Sequence, residues 1–322
     1  MASQNRLLNF FASAKGRRFS FYAATSTALG AFLVNFVPDT FAVKKYREIV
    51  ATYREGVERS VSETLQKRFD IAMEYLKVTD FEKRFLQPFM VSGFESYNIG
   101  SLKFKYGALV GIPINYTYTA PNEIDRADII IRGKSVDWNS KGGKLFEESL
   151  ILTEDEQIFG ITREMIQLQY NKVLLNSIYP TATVFMMYSL ASGLNSKLRL
   201  FYRPLSLRVC LYAIVGFFGF GVYSLFSDFT QVSYDGKTDE VLASLGPGFV
   251  SSGVRFYEKL LKKNVACREL TGDNSEYTAF GNENYLVRRK RLPLTIRKAF
   301  FELKLEELNK QSEASAESNA QV

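Results

Sequence analysis

Charged residues are missing from three stretches of the chain, and its apolar residues gather there. Phe19 to Val37, Val173 to Gly193 and Val209 to Phe226 contain no Asp, Glu, Lys or Arg. At about 1.5 Å rise per residue, each is long enough as a helix to cross a hydrocarbon core of ~30 Å. The pattern predicts three transmembrane helices, at 19–37, 173–193 and 209–226. Pro38 and Asp39 end the first, and no small-x-small cleavage site closes it, so an uncleaved anchor is read rather than a secretory signal peptide. Pro180 lies inside the second, where lipid-embedded helices tolerate proline better than soluble ones do. The rival reading of the last two runs, a buried helical hairpin of a soluble domain, requires two adjacent uncharged segments of this length to be hidden by protein alone.

Between and after these runs the periodicity changes. Tyr46, Val50, Tyr53, Val57, Val61, Leu65, Phe69, Ala72 and Leu76 recur at spacings of three or four and predict one long amphipathic helix from Lys44 to Phe85 that flanks the membrane. From residue 99 to 137, short apolar runs punctuated by Gly107, Gly111, Pro113 and Gly133 predict strands. Thr153 followed by Glu156 is a capping box, and Ile158, Ile161, Met165 and Leu168 give the buried stripe of a helix running to Lys172. The expected fold class is an α-rich membrane protein (α+β) with a small β-containing soluble domain at 38–172. A polar turn at Tyr234 to Asp239 opens a C-terminal helical region over 227–311. It holds a helix at 239–264 interrupted by Gly246-Pro247-Gly248 and another at 294–311. A polar tail, 312–322, is expected to be disordered.

The net charge of +7 and isoelectric point near 9.1 change this picture only through where the cations lie. Residues 1–18 carry Arg6, Lys15, Arg17 and Arg18, and the first acid in the chain is Asp39. Such a basic, acid-free start resembles a mitochondrial targeting segment. The loop 194–208 carries Lys197, Arg199, Arg203 and Arg208, again without an acid. By the positive-inside rule both basic segments belong on the electrically negative side, which two intervening spans permit. In a mitochondrion that side is the matrix, so 38–172 and the C-terminal region are expected in the intermembrane space. Topology thereby accounts for much of the basic excess without nucleic acid. Arg288-Arg289-Lys290-Arg291 is a denser run, suited to an acidic lipid, a partner or plain solvent; its flanks lack the interleaved aromatics of an RNA binder.

The chain has no histidine and only two cysteines, Cys210 and Cys267. Histidine triads and histidine zinc sites are thereby excluded, and no metal or cofactor is expected. Gly133-Lys134-Ser135 ends like a phosphate loop, but Asp128 stands where the leading glycine is needed. Arg163-Glu164-Met165-Ile166-Gln167 occupies the frame in which zinc peptidases place H-E-x-x-H on a helix. Arg163 and Gln167 cannot replace the histidine ligands, so these positions, with Glu164, are at most the remnant of a peptidase site. A catalytically dead, or histidine-independent, descendant of a membrane-bound metallopeptidase is the alternative reading. A transporter is less favoured, because the spans carry no charges.

Several stretches carry a family resemblance: Val110-Gly-Ile-Pro113, Val136-Asp-Trp138, Leu150-Ile-Leu-Thr153 with Arg163-Glu164, Gly253-Val-Arg-Phe-Tyr-Glu-Lys-Leu-Leu261 and Arg289-Lys-Arg-Leu-Pro293. In order and spacing, over most of residues 19 to 300, the chain resembles the transmembrane protein 177 family. That resemblance implies a non-enzymatic assembly factor of the mitochondrial inner membrane. It would stabilise the newly made second subunit of cytochrome c oxidase together with that subunit's membrane chaperone. Candidate contacts with such partners, or with membrane lipid, are the small residues Ser189, Ser192, Gly193, Gly216 and Gly219 on the spans. In the polar parts they are Tyr257 and Glu258 in the most specific stretch, and Arg289 and Arg291.

Overall fold

A computed structural model describes residues 10–320, with side chains described to residue 314. Arg6, Leu7 and Leu8 of the targeting-like segment, and the last two residues of the tail, lie outside the described residues. The chain forms two compact units. One comprises the chain to Phe41 with Asn171–Thr230; the other comprises Ala42–Tyr170 with the chain from Gln231 onward.

The first unit is helical. Its elements are α1 (Ala14–Phe36), α7 (Lys172–Lys197) and the first part of α8 (Leu205–Ser244). These three helices, of 23, 26 and 40 residues, are long and apolar enough to cross a membrane and bury little of their surface in protein. On α8, Phe217 is 80 % exposed and Leu225 68 %, a surface suited to lipid and costly in water. Inside the unit, Thr181 on α7 donates to the Ala28 carbonyl of α1 at 3.3 Å. The Tyr179 and Thr230 hydroxyls share a hydrogen bond of 2.7 Å, and Asn195 donates to the Tyr212 hydroxyl at 2.6 Å.

The second unit is α+β. Its order is α2 (Val43–Val50), β1 (Tyr53–Arg54), β2 (Val57–Glu58), α3 (Glu63–Tyr75), α4 (Asp80–Lys83), β3 (Leu86–Val91), β4 (Tyr97–Gly100) and β5 (Ala108–Pro113). There follow β6 (Ile130–Ile131), β7 (Lys134–Ser135), α5 (Lys141–Leu150), α6 (Glu154–Leu168), the end of α8, α9 (Pro247–Thr271) and α10 (Leu294–Ala320). The main sheet has the order β3-β5-β4, with β3 parallel and β4 antiparallel to β5. Every residue of the central strand β5 is buried, as its uninterrupted apolar sequence requires. Pro88 sits in the edge strand β3, where a missing ladder donor is tolerated. The core joins α3, the sheet, α6, α9 and α10 through Phe69, Met90, Val110, Phe159, Phe256 and Phe301.

Three expectations need correction. The single helix of 44–85 is instead α2, a hairpin, α3 and α4, with β3 starting at Leu86. Glu55 and Gly56 both have positive φ, 55° and 80°, and make the two-residue turn that pairs Arg54 with Val57. Helix α3 ends with Lys77 at φ 49°, whose N–H bonds to the Glu74 carbonyl while that of Val78 reaches Met73. A glycine in that place would have betrayed the stop; a lysine hid it. Second, Tyr234 to Asp239 is no turn: α8 continues through it to Ser244, and the break comes at Gly246, whose φ of 130° suits glycine. Third, α10 runs past Gln311 to Ala320, since the Ala and Glu residues of that segment favour helix.

Candidate functional site

The side chains with chemical potential converge in the α+β unit, where α6, α9, α10 and the end of α8 meet. Thr153 caps α6: its hydroxyl accepts from the Glu156 N–H, and Glu156 accepts back from the Thr153 N–H at 2.8 Å. That same carboxylate, 1 % exposed, accepts from Lys259 of α9 at 2.7 Å and lies 3.4 Å from Arg255. Lys259 also donates to the Ile151 carbonyl at 2.5 Å. A local capping motif thus doubles as the tie between two helices.

Two turns further along α6, the peptidase-like frame forms a network of its own. Arg163 donates from Nε (2.9 Å) and Nη2 (2.6 Å) to one oxygen of Glu164. Asn98 of β4 donates to the other oxygen of Glu164 at 2.5 Å and to Gln167 at 3.4 Å. The Arg163 guanidinium stacks 5.2 Å from the centre of the Phe256 ring. Burial opposes its charge most strongly, but Glu164, Tyr257 and Tyr116 together more than offset it and raise its pKa above the ordinary value. Glu164 is therefore committed to two protein donors. No group of three or more His, Cys, Asp or Glu suited to a metal exists among the described residues.

A second network joins α8, α9 and α10. Arg297 donates bidentately to Asp239, both bonds at 2.7 Å, and Tyr257 donates to the same carboxylate at 2.7 Å. Asp235 lies 3.8 Å from Arg297 and accepts from the Leu292 N–H at 3.1 Å. The Arg297 guanidinium sits 4.8 Å from the Tyr257 ring centre. All four residues are buried. Burial pushes the Tyr257 phenol well above its ordinary range and opposes the Arg297 charge, which Tyr257 and Asp239 together more than restore. Such a cluster holds only because every charge has its partner.

The stretch Gly253 to Leu261 is the hub of both networks. Gly253 faces the Phe301 ring so closely that a Cβ would stand 2.6 Å from its Cδ1. Tyr257, read from the sequence as a partner contact, is fully buried and serves the fold. Glu258 remains partly exposed beside Lys262 (3.4 Å) and Lys298 (3.8 Å). Arg289 and Arg291 are exposed on the connection 272–293. On the spans, Ser189, Ser192 and Gly193 are exposed and Gly216 is half-buried. Gly219 is buried against Met187 of α7, whose sulfur would lie 2.2 Å from an added Cβ, so it packs within this chain rather than against another. Asn98, Asp235, Asp239 and Arg297 were missed in the sequence. The Asp235–Asp239 spacing of one helical turn was the available signal, obscured because the segment read as a turn.

These features define an α-rich membrane protein with three candidate spans and an α+β unit whose polar centre is structural. No family model matches the chain, and no solved structure matches it. Curated relatives do: transmembrane protein 177 of Rattus norvegicus and of Homo sapiens, each 31 % identical over 216 residues, which is 66 % of this chain and 69 % of theirs. The same protein of Xenopus laevis is 28 % identical over 280 residues, or 84 % of this chain and 89 % of that one. The chain belongs to the transmembrane protein 177 family.

Proposed function

We propose that this chain is a non-enzymatic assembly factor of the mitochondrial inner membrane that stabilises the newly made second subunit of cytochrome c oxidase, together with that subunit's membrane chaperone. The reading is carried by one observation: the ionisable groups at the centre of the α+β unit are bonded to one another, while the broad apolar surfaces lie outward on the spans. Arg163, Glu164, Glu156, Asp239 and Arg297 are engaged in helix-to-helix or helix-to-strand ties. The exposed faces of α7 and α8, with Ser189, Ser192 and Gly193 among them, offer a helical client small residues against which to pack. The oxidase role itself comes from the family resemblance.

The topology proposed with it puts the N-terminal segment and the loop 194–208 in the matrix, and 38–172 with the C-terminal region in the intermembrane space. In its favour, chain segments before α7 and after the span part of α8 share one core: Phe159 of α6 packs on Phe256 of α9 and Phe301 of α10. Segments that fold together lie on one side of a membrane, and the two spans between them allow it.

The test is affinity capture of the full chain from mild-detergent mitochondrial extract, with mass spectrometry. Recovery of early oxidase intermediates containing the second subunit is expected. Their consistent absence at good bait recovery would overturn the oxidase role.

A further inference from the structure

The α+β unit contains a cavity of about 560 Å3 that neither network fills. Its walls come from the β4 region, from α9 and from the connection 272–293. Two buried asparagines line it, Asn115 (5 % exposed) and Asn264 (3 %). Each spends its amide N–H on a backbone carbonyl, Leu150 at 3.2 Å and Gly281 at 2.8 Å. Each leaves its side-chain oxygen without a hydrogen-bond partner. Buried acceptors are rarely left so in folded proteins, and two in one wall mark a place for hydrogen-bond donors that the chain does not supply.

The remaining wall carries two carboxylates, Glu95 and Glu283, and an excess of cations over them. Arg163 uses Nε and Nη2 on Glu164, and its Nη1 has no partner among the described residues. Arg289 and Arg291 line the same cavity without an ion pair or hydrogen bond to a described residue, although Arg291 lies in the field of Glu95 and Glu283. Lys263 also lines it and is matched by Glu95 at 3.2 Å, so the unspent charge is that of the arginines. Guanidinium groups bind oxyanions in a planar, bidentate manner.

We propose that this cavity binds a hydroxylated phosphate ester, with the phosphate held by Arg163, Arg289 and Arg291 and the hydroxyls donating to Asn115 and Asn264. Glycerol phosphate is the minimal form of that chemistry. It occurs both as a soluble ester and as the headgroup of phosphatidylglycerol. Leu286 and Val287, adjoining the basic run, are 99 % and 90 % exposed, apolar surface that acyl chains would cover in the second case. The inference goes beyond the assembly role and does not depend on it.

The experiment uses the full chain in nanodiscs of zwitterionic lipid. Glycerol 3-phosphate is titrated in one arm, with glycerol as the uncharged control, and phosphatidylglycerol replaces part of the lipid in the other. Binding is read by phosphorus NMR and by the shift in thermal unfolding. Saturable binding in at least one arm is expected, at least tenfold weaker in the double variant R289Q/R291Q, whose unliganded melting stays at the wild-type value because both side chains are exposed. Response in the soluble arm identifies a free ester, and response only in the lipid arm identifies a headgroup; both support the site. No saturable binding in either arm, or undiminished affinity in the folded double variant, overturns it.

Discussion

Arg297 shows what a single residue does in this unit. Its guanidinium satisfies Asp239 with two bonds, approaches Asp235 and covers the Tyr257 ring. Replacing it by methionine keeps the volume but strands a buried carboxylate, and breaking such a pair costs about 3–5 kcal/mol. Arg297→Met is expected to lower stability by that amount in denaturant titration. Arg297→Lys is not expected to rescue it, since a single ammonium cannot reproduce the fork. Tyr116 makes a separate prediction. Its buried hydroxyl shares a 3.1 Å hydrogen bond with Ser96, and burial pushes the phenol up to about 12 from an ordinary 10. The folded state therefore keeps a proton that the unfolded chain releases. The stabilisation is complete below pH 10 and is lost as pH rises toward 12, on the order of 2–3 kcal/mol. Unfolding measured from pH 9 to 12 is expected to show this loss in the wild type and to lack the Tyr116 component in Tyr116→Phe.

Among the elements, α3 is instructive because its stop is made by the wrong residue. Lys77 adopts a left-handed conformation, φ 49°, to close the helix with two hydrogen bonds. That conformation costs a side-chain-bearing residue about 1 kcal/mol more than glycine. Lys77→Gly is expected to raise stability by up to that amount, read as a higher melting temperature without change in helical content. The pairing of α7 with α8 predicts the opposite sign. Gly219 leaves no room beside Met187, so Gly219→Ile forces the two helices apart at an overpacking cost of roughly 1–3 kcal/mol. The expected result is earlier loss of the hairpin when the purified protein is unfolded from mixed micelles with increasing SDS.

Over the whole molecule, connectivity ties the two segments of the α+β unit to one fate. Ala42–Tyr170 and the chain after Gln231 share a core, whereas the loop 194–208 follows α7. On the location and topology proposed above, epitopes placed at the C-terminus and just after α1 are expected to become protease-accessible together in mitochondria with ruptured outer membranes. An epitope in 194–208 is expected to be cut only after detergent opens the inner membrane. Accessibility of the loop together with the C-terminus would rule out a span between them.

The three spans were legible along the chain itself. Absence of charge over Phe19 to Val37, Val173 to Gly193 and Val209 to Phe226 is a local property, and lipid acts on each helix by its own composition. The capped start of α6 was legible for a similar reason: Thr153 and Glu156 satisfy the helix end within one turn. The hairpin at Glu55-Gly56, the lysine stop of α3 and the continuation of α8 were not. The first two turn on a residue other than glycine at positive φ, Glu55 and Lys77; in the third, a local turn preference gave way to packing from other helices. The same holds for the polar centre. Tyr257 and Gly219 looked like surfaces for a partner, yet the fold consumes both. Whether a carboxylate such as Asp239 is a turn residue in water or the buried anchor of three helices depends on Arg297 and Tyr257 arriving from other helices. Sequence by itself determined which segments lipid accepts, because that energy belongs to each segment alone. Only the tertiary structure decided which polar groups are spent and which still face a cavity, because a buried charge is tolerated only when a distant part of the chain brings its counterpart.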